Sequence, residues 1–141
     1  MKIFETMTRN PEIIHANDPV KKAAKLMKDL NVGAVPVFEG DDAVGMITDR
    51  DITIRLVSEG KDLSTRCKEI MTPDPVICPE DADAVEALQL MEQKKIRRLL
   101  VKDDRNKVVG VVSLGDLAIR LGRDAAGEAL REVSKPAEPE W

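Results

Sequence analysis

Apolar residues fall at Val20, Ala23, Ala24, Met27 and Leu30, with Lys21, Lys22, Lys25 and Lys28 between them. Steps of three and four put the first set on one face of a helix and the lysines on the other, so the spacing predicts an amphipathic helix. Asp18-Pro19 offers a cap and a proline for the first turn, and Asn31 a stop. The pattern then changes. Residues 32–38 are almost continuously apolar, which predicts a strand buried on both faces. Residues 39–42 supply turn chemistry, and 43–48 predict the hairpin partner. A short β-rich run at 12–15 precedes the helix. A second helix, over about 49–57, follows the hairpin, with Ile52, Leu56 and either Ile54 or Val57 turned inward.

The order strand, helix, strand, strand, helix then returns at 76–78, 82–95, 96–101, 108–113 and a last helix reaching Leu121, with a turn at 103–106. The residues return as well. Met7-Thr8, Pro11, Ile13, Ala23, Leu26 and Met27 match Met71-Thr72, Pro75, Ile77, Ala87, Leu90 and Met91 at an offset of 64 (71 − 7). After one extra residue the offset is 65 (110 − 45), and Gly45, Asp51, Ile54, Arg55 and Leu56 match Gly110, Asp116, Ile119, Arg120 and Leu121. A tandem repeat in a small chain predicts two stacked halves with a site near their shared interface. The fold class is therefore α/β (α+β), built from two βαββα repeats at 7–64 and 71–122. In the remainder, 123–141, a short helix over about 124–133 leads into a polar, proline-rich, disordered tail.

Composition narrows the function. The chain has 141 residues, 43% of them apolar, enough for a core, but only 2% aromatic, so the core is aliphatic and base-stacking platforms are missing. With a net charge of −4, a broad phosphate-binding surface is also missing, which argues against nucleic acid as the partner. The sequence shows no signal peptide and no membrane-spanning run, and a cytoplasmic protein is expected. Cys67 and Cys78 lack zinc-site spacing and are expected as reduced thiols; His15 stands alone and is given no role. No nucleophile, acid–base pair or metal cluster emerges, so no enzymatic activity, metal or required cofactor is expected.

Two matching stretches remain. Gly45-Met46-Ile47-Thr48-Asp49-Arg50-Asp51 and Gly110-Val111-Val112-Ser113-Leu114-Gly115-Asp116 stand where the third strand of each repeat meets its second helix. A hydroxyl there sits beside unpaired backbone NH groups and the positive end of the helix dipole, a ready phosphate site. A carboxylate three residues on can accept both hydroxyls of a ribose. The same Thr/Ser-x-x-Asp spacing is also that of a capping box, in which the hydroxyl caps the helix and the acid bonds back to the cap NH. Residue types alone leave both readings open. Arg97 and Arg98 interrupt an otherwise apolar strand, and guanidinium groups suit phosphate oxygens. Lys94 and Lys95 read instead as a solvated helix end. In the first repeat Gly33 and Ala34 hold the places of the two arginines (97 − 64 and 98 − 64), so the two sites should be unequal and only one should bind tightly.

Over residues 7 to about 121 the doubled pattern resembles a pair of CBS domains, the Bateman module, and is similar to its small free-standing bacterial members. The resemblance implies two pseudo-symmetric βαββα halves with adenosine ligands in two clefts, and a nucleotide sensor for AMP, ADP or ATP, or in some members S-adenosylmethionine or a dinucleotide. By that resemblance Asp51 and Asp116 hold ribose hydroxyls. Thr48 and Ser113, following Gly45 and Gly110, touch phosphate, and Arg97 and Arg98 reach it. Adenine lies near Ile13, Ile14, Val35 and Pro36 in one cleft and near Val76, Ile77, Leu99 and Leu100 in the other. A homodimer through the second helices is implied. The rival reading is a ligand-free module that regulates a partner protein by contact.

Overall fold

The computed structural model describes residues 1–134; the expected disordered tail falls on residues 135–141, outside them. A 3-10 turn at Ile3–Glu5 comes first. After it come β1 (Thr8–Arg9), β2 (Ile14–His15), α1 (Val20–Leu30), β3 (Ala34–Glu39), β4 (Asp42–Thr48) and α2 (Asp49–Asp51), which continues as a π-helical segment, Ile52–Val57. Then follow α3 (Cys67–Ile70), β5 (Thr72–Pro73), β6 (Ile77–Pro79), α4 (Ala84–Lys94), β7 (Arg98–Lys102), β8 (Val108–Ser113), α5 (Leu114–Leu121) and α6 (Arg123–Ser134).

These elements form two bodies. One is Pro11–Pro75; the other joins Met1–Asn10 to Val76 and the residues after it. The first body holds a four-stranded sheet in the order β2-β3-β4-β5. Strands β2 and β3 are parallel and joined through α1, whereas β3 and β4 form the expected antiparallel hairpin. The second body repeats this as β1-β8-β7-β6, with β6 and β7 parallel across α4. Each body has its own aliphatic core. One centres on Ile14, Val20, Val35, Val37, Ile47 and Leu56, the other on Ile3, Met91, Leu99, Val101, Val112 and Leu117.

The leading segment of each repeat docks on the body of the other. Ile3 N donates to Ala82 O (2.9 Å), Phe4 N to Glu80 O (3.1 Å), and Ala84 N to Met1 O (2.8 Å). Moved by 64 (67 − 3), the same bonds recur from Cys67 N to Asp18 O (2.8 Å), from Lys68 N to Ala16 O (2.9 Å), and from Val20 N to Thr65 O (2.8 Å). β1 and β5 then close the sheet edges against β8 and β4. Here the two glycines of the repeated stretch are explained. A Cβ on Gly45 would lie 2.7 Å from both Thr72 O and Met71 Sδ, and one on Gly110 would lie 2.5 Å from Met7 Sδ and 3.0 Å from Thr8 O. Only glycine lets the arriving Met-Thr strand approach so closely.

Several local expectations differ. Asp18 does not cap α1: Pro19 occupies the cap position in extended conformation, while the Asp18 carboxylate accepts from His15 N (3.0 Å) and Lys22 Nζ (3.3 Å). That bond to His15 NH holds the Asp18 carboxyl below its ordinary value. Ala24 and Leu30 are exposed, because three buried side chains, Val20, Ala23 and Met27, suffice to seat an eleven-residue helix. Val32 lies outside β3 and is exposed. Ile54 and Val57 also face outward, since the wider π turn brings only Leu56 fully inside. Asn31 ends α1 in the left-handed conformation, as expected, and Lys95 does the same for α4.

Candidate functional site

In the Pro11–Pro75 body, Thr48 ends β4 and caps α2. Its Oγ1 accepts from Asp51 N (3.1 Å), and Asp51 Oδ2 accepts from Thr48 N (3.0 Å), a complete capping box. The Asp51 carboxylate is then used further. Thr72 Oγ1 donates to Oδ1 (3.1 Å), and Arg55 Nε lies 3.9 Å from the same oxygen. Arg55 also donates through Nη1 to Met71 O (3.0 Å). Asp51 is only 7% exposed, so a buried charge is matched by two donors and a nearby guanidinium, as burial requires. Val35 and Pro36 are buried in β3 and Ile13 is half-buried, while Gly33 O receives Asp49 N (3.0 Å).

The corresponding motif of the other body has the same cap and a different surrounding. Ser113 Oγ accepts from Asp116 N (3.1 Å), and Asp116 Oδ2 accepts from Ser113 N (2.9 Å). Asp116 is half-buried, and among the described residues its Oδ1 accepts no hydrogen bond and no ion pair reaches it. Thr6 Oγ1 donates to the backbone O of Asp116 (3.4 Å) and leaves the carboxylate alone. Leu114 N donates to Arg97 O (2.8 Å), which holds the start of β7 against the first turn of α5.

A pocket of about 660 Å³ opens at that junction. Arg97, Arg98 and Ser113 line it together, with the Gly115 backbone of the first α5 turn beside them. α5 and α6 supply an apolar wall of Leu114, Ala118, Ala126 and Leu130. The volume suits a small organic ligand, and the lining offers an apolar surface at one part and guanidinium groups, a hydroxyl and the Gly115 NH of the first α5 turn at another. Arg98 has no acceptor among the described residues, while Arg97 Nη2 donates to Ser134 Oγ (3.1 Å). Of the sequence candidates, the pocket gathers Arg97, Arg98 and Ser113. Asp116 lies one turn along α5 outside the lining, and Gly110 packs against the Met7 strand. Ile77 and Leu100 pair across β6 and β7 away from it. Sequence reasoning missed Arg123, Gly127 and Leu130. Their helix was expected but given no role, and a lone arginine after a glycine carries no signal of its own.

Elsewhere, both cysteines are free and buried; burial pushes the Cys67 thiol up to about 11 and also raises Cys78. Neither is therefore set up as a thiolate nucleophile. Among the described residues no three His, Cys, Asp or Glu side chains gather as metal ligands, and no helix is long and apolar enough to cross a membrane.

Comparison with known proteins agrees with this architecture. The CBS domain family model matches the chain twice, over residues 3–58 and 67–123, so α6 lies beyond the second match except for its first residue. The CBS domain-containing protein YhcV of Bacillus subtilis (strain 168) is 41% identical over 133 residues, 94% of each chain. Among solved structures, the conserved CBS domain protein TA0289 of unknown function from Thermoplasma acidophilum superimposes with a TM-score of 0.85 at 23% identity, covering 96% of this chain and 77% of that one. The CBS domain pair of MJ0100, in complex with 5′-methylthioadenosine and S-adenosyl-L-methionine, superimposes with a TM-score of 0.76 at 27% identity, covering 86% of this chain and all 100% of that one. With two successive matches, each spanning strand, helix, hairpin and capped helix, this chain belongs to the CBS domain family and carries two copies of the domain.

Proposed function

We propose that the chain is a non-catalytic regulatory module that binds an adenine nucleotide of the AMP, ADP or ATP class, tightly at one site. One observation carries this reading: Arg97, Arg98 and the Ser113 hydroxyl line a single pocket at the start of α5. Guanidinium forks, and the Gly115 NH at the start of a helix, are strong donors to phosphate oxygens. The unused Oδ1 of Asp116, one turn away, can accept a ribose hydroxyl. The adenosyl ligands of the MJ0100 domain pair support an adenosine compound as the occupant.

Regulation follows if binding differs between two arrangements of the protein, since a ligand shifts an equilibrium only by its differential affinity. We place the protein in the cytoplasm, as two unpaired cysteines suit, and as a homodimer, as the exposed Ile54, Val57 and Ile119 suit. Calorimetric titration with AMP, ADP and ATP tests the assignment, with one tight site per chain expected. In a thermal-shift assay, ligand at 100 times its dissociation constant adds about 2.7 kcal/mol to the folded state. A flat response to all three nucleotides overturns the reading in favour of the ligand-free module.

A further inference from the structure

The pocket holds a third guanidinium. Arg123, the first residue of α6, lines it together with Arg97 and Arg98, and among the described residues it has no carboxylate or other acceptor. α6 also supplies the Ala126, Gly127 and Leu130 side of the wall. It packs on both α4 and α5, and its last turn meets Arg97 through Ser134. The Pro11–Pro75 body has no counterpart of these features: Gly33 and Ala34 stand at the arginine positions, and the helix after β4 is followed by a turn and the four-residue α3, not by a helix of twelve residues like α6.

We infer that the pocket selects a nucleoside polyphosphate, with Arg123 the residue that discriminates diphosphate and triphosphate from monophosphate. This rests on the adenine-nucleotide reading of the same pocket and specifies the ligand class. Each further phosphate adds negative charge, and three guanidiniums around one cavity in a chain of net charge −4 form a local concentration of positive charge. Two guanidiniums and the Ser113 hydroxyl are enough for one phosphate. A third has a partner only when the anion is longer. The same cluster acts against a cationic sulfonium ligand, since like charges across a site are a repulsive element of specificity. The apolar wall of Leu114, Ala118, Ala126 and Leu130 remains for the base.

Titration calorimetry of the full chain with AMP, ADP and ATP in magnesium-free buffer tests this. We expect affinity to rise at least about tenfold from AMP to ATP, a difference of about 1.4 kcal/mol. Arg123→Ala should collapse most of that ratio while leaving the AMP affinity within about threefold, and Arg123→Lys, which keeps the charge but loses the fork, should restore part of it. Arg123 is exposed, and its variants should keep the wild-type circular dichroism and melting temperature. Gly127→Phe offers a separate check. A Cβ at Gly127 meets nothing within 4 Å and Gly127 lines the pocket, so the substitution should leave the melting temperature near wild type while weakening ATP binding; unchanged ATP affinity would count against this pocket as the site. Equal affinities for AMP and ATP, or an Arg123→Ala variant with an unchanged ratio, overturn the inference while nucleotide binding stands. No binding of any nucleotide overturns both.

Discussion

The two bodies start from matching residues and finish differently. Thr48-x-x-Asp51 and Ser113-x-x-Asp116 make the same reciprocal cap, yet Asp51 is buried beneath Thr72 and Arg55, and Asp116 keeps one carboxylate oxygen unused. The equivalents of both Asp51 partners exist in the other copy. Thr8 is exposed in β1 and its hydroxyl donates to no described acceptor, and Arg120 is exposed on a regular α5. Arg55 instead sits in a π-helical segment and bonds the Met71 carbonyl at the end of α3. A duplicated motif has thus become a structural clasp in one copy and an accessible group beside a basic pocket in the other. Identity of residues at a repeated position does not fix their use; the satisfaction of their hydrogen bonds does.

Four comparisons break or sharpen this contrast. The largest effect is expected at the arms. Ile3→Ala leaves a cavity in the core of the second body and should cost about 2–5 kcal/mol; its counterpart change, Cys67→Ala, removes one small buried group and should cost less. Urea denaturation with hydrogen exchange, resolved by body, measures both, and equal losses would erase the asymmetry of the two cores. Next come the close-packed glycines. Gly45→Ala drives a Cβ to 2.7 Å from a backbone carbonyl, whereas Gly110→Ala meets mainly the movable end of Met7. Gly45→Ala should therefore be the costlier, by an overpacking penalty of about 1–3 kcal/mol. The reverse order in melting temperature would contradict the geometry.

The carboxylates come third. Asp51→Asn strands the donors that meet in its buried carboxylate and should destabilise by about 1–3 kcal/mol with little change in nucleotide affinity. Asp116→Asn should do the opposite, weakening binding while stability changes little. If calorimetry and melting show both substitutions acting alike, the division between clasp and open site fails. The smallest effect is on alkaline stability. Burial raises the folded-state Cys67 pKa from the usual value near 9 to about 11. The folded chain then holds its proton where the unfolded chain has released it. The associated stability is whole below about pH 9 and is lost as pH rises toward 11. Cys67→Ala should flatten that limb of a pH–melting profile.

Much of this fold was legible in the sequence, because period-2 and period-3.6 patterns report burial directly. Helix α1, the β3–β4 hairpin, the ends at Asn31 and Leu121 and the doubling at an offset of 64 all follow from it. The exchange of leading segments was not. Met7-Thr8 and Met71-Thr72 have the same residues and fit either body by pattern, so only long-range pairing with Gly110 and Gly45 decides. The Thr/Ser-x-x-Asp stretches could be recognised, but their unequal fates depend on Thr72 and Arg55, which a local reading does not weigh. Arg97 and Arg98 stood out because charge interrupts an apolar run. Arg123 did not, for it lies in a polar helix where an arginine is unremarked.

The exchanged segments also bear on the order in which the protein can be born. As the chain emerges amino end first, Pro11–Pro75 has every strand of its sheet once β5 has left the ribosome, and can close. Met1–Asn10, though made before that body, belong to the other: Met1 to Phe4 find their backbone partners only when residues 80–84 appear, and β1 only when β8 arrives about a hundred positions later. Until those arrive Ile3 and Met7 travel uncovered, so a segment made ahead of the Pro11–Pro75 body settles after it.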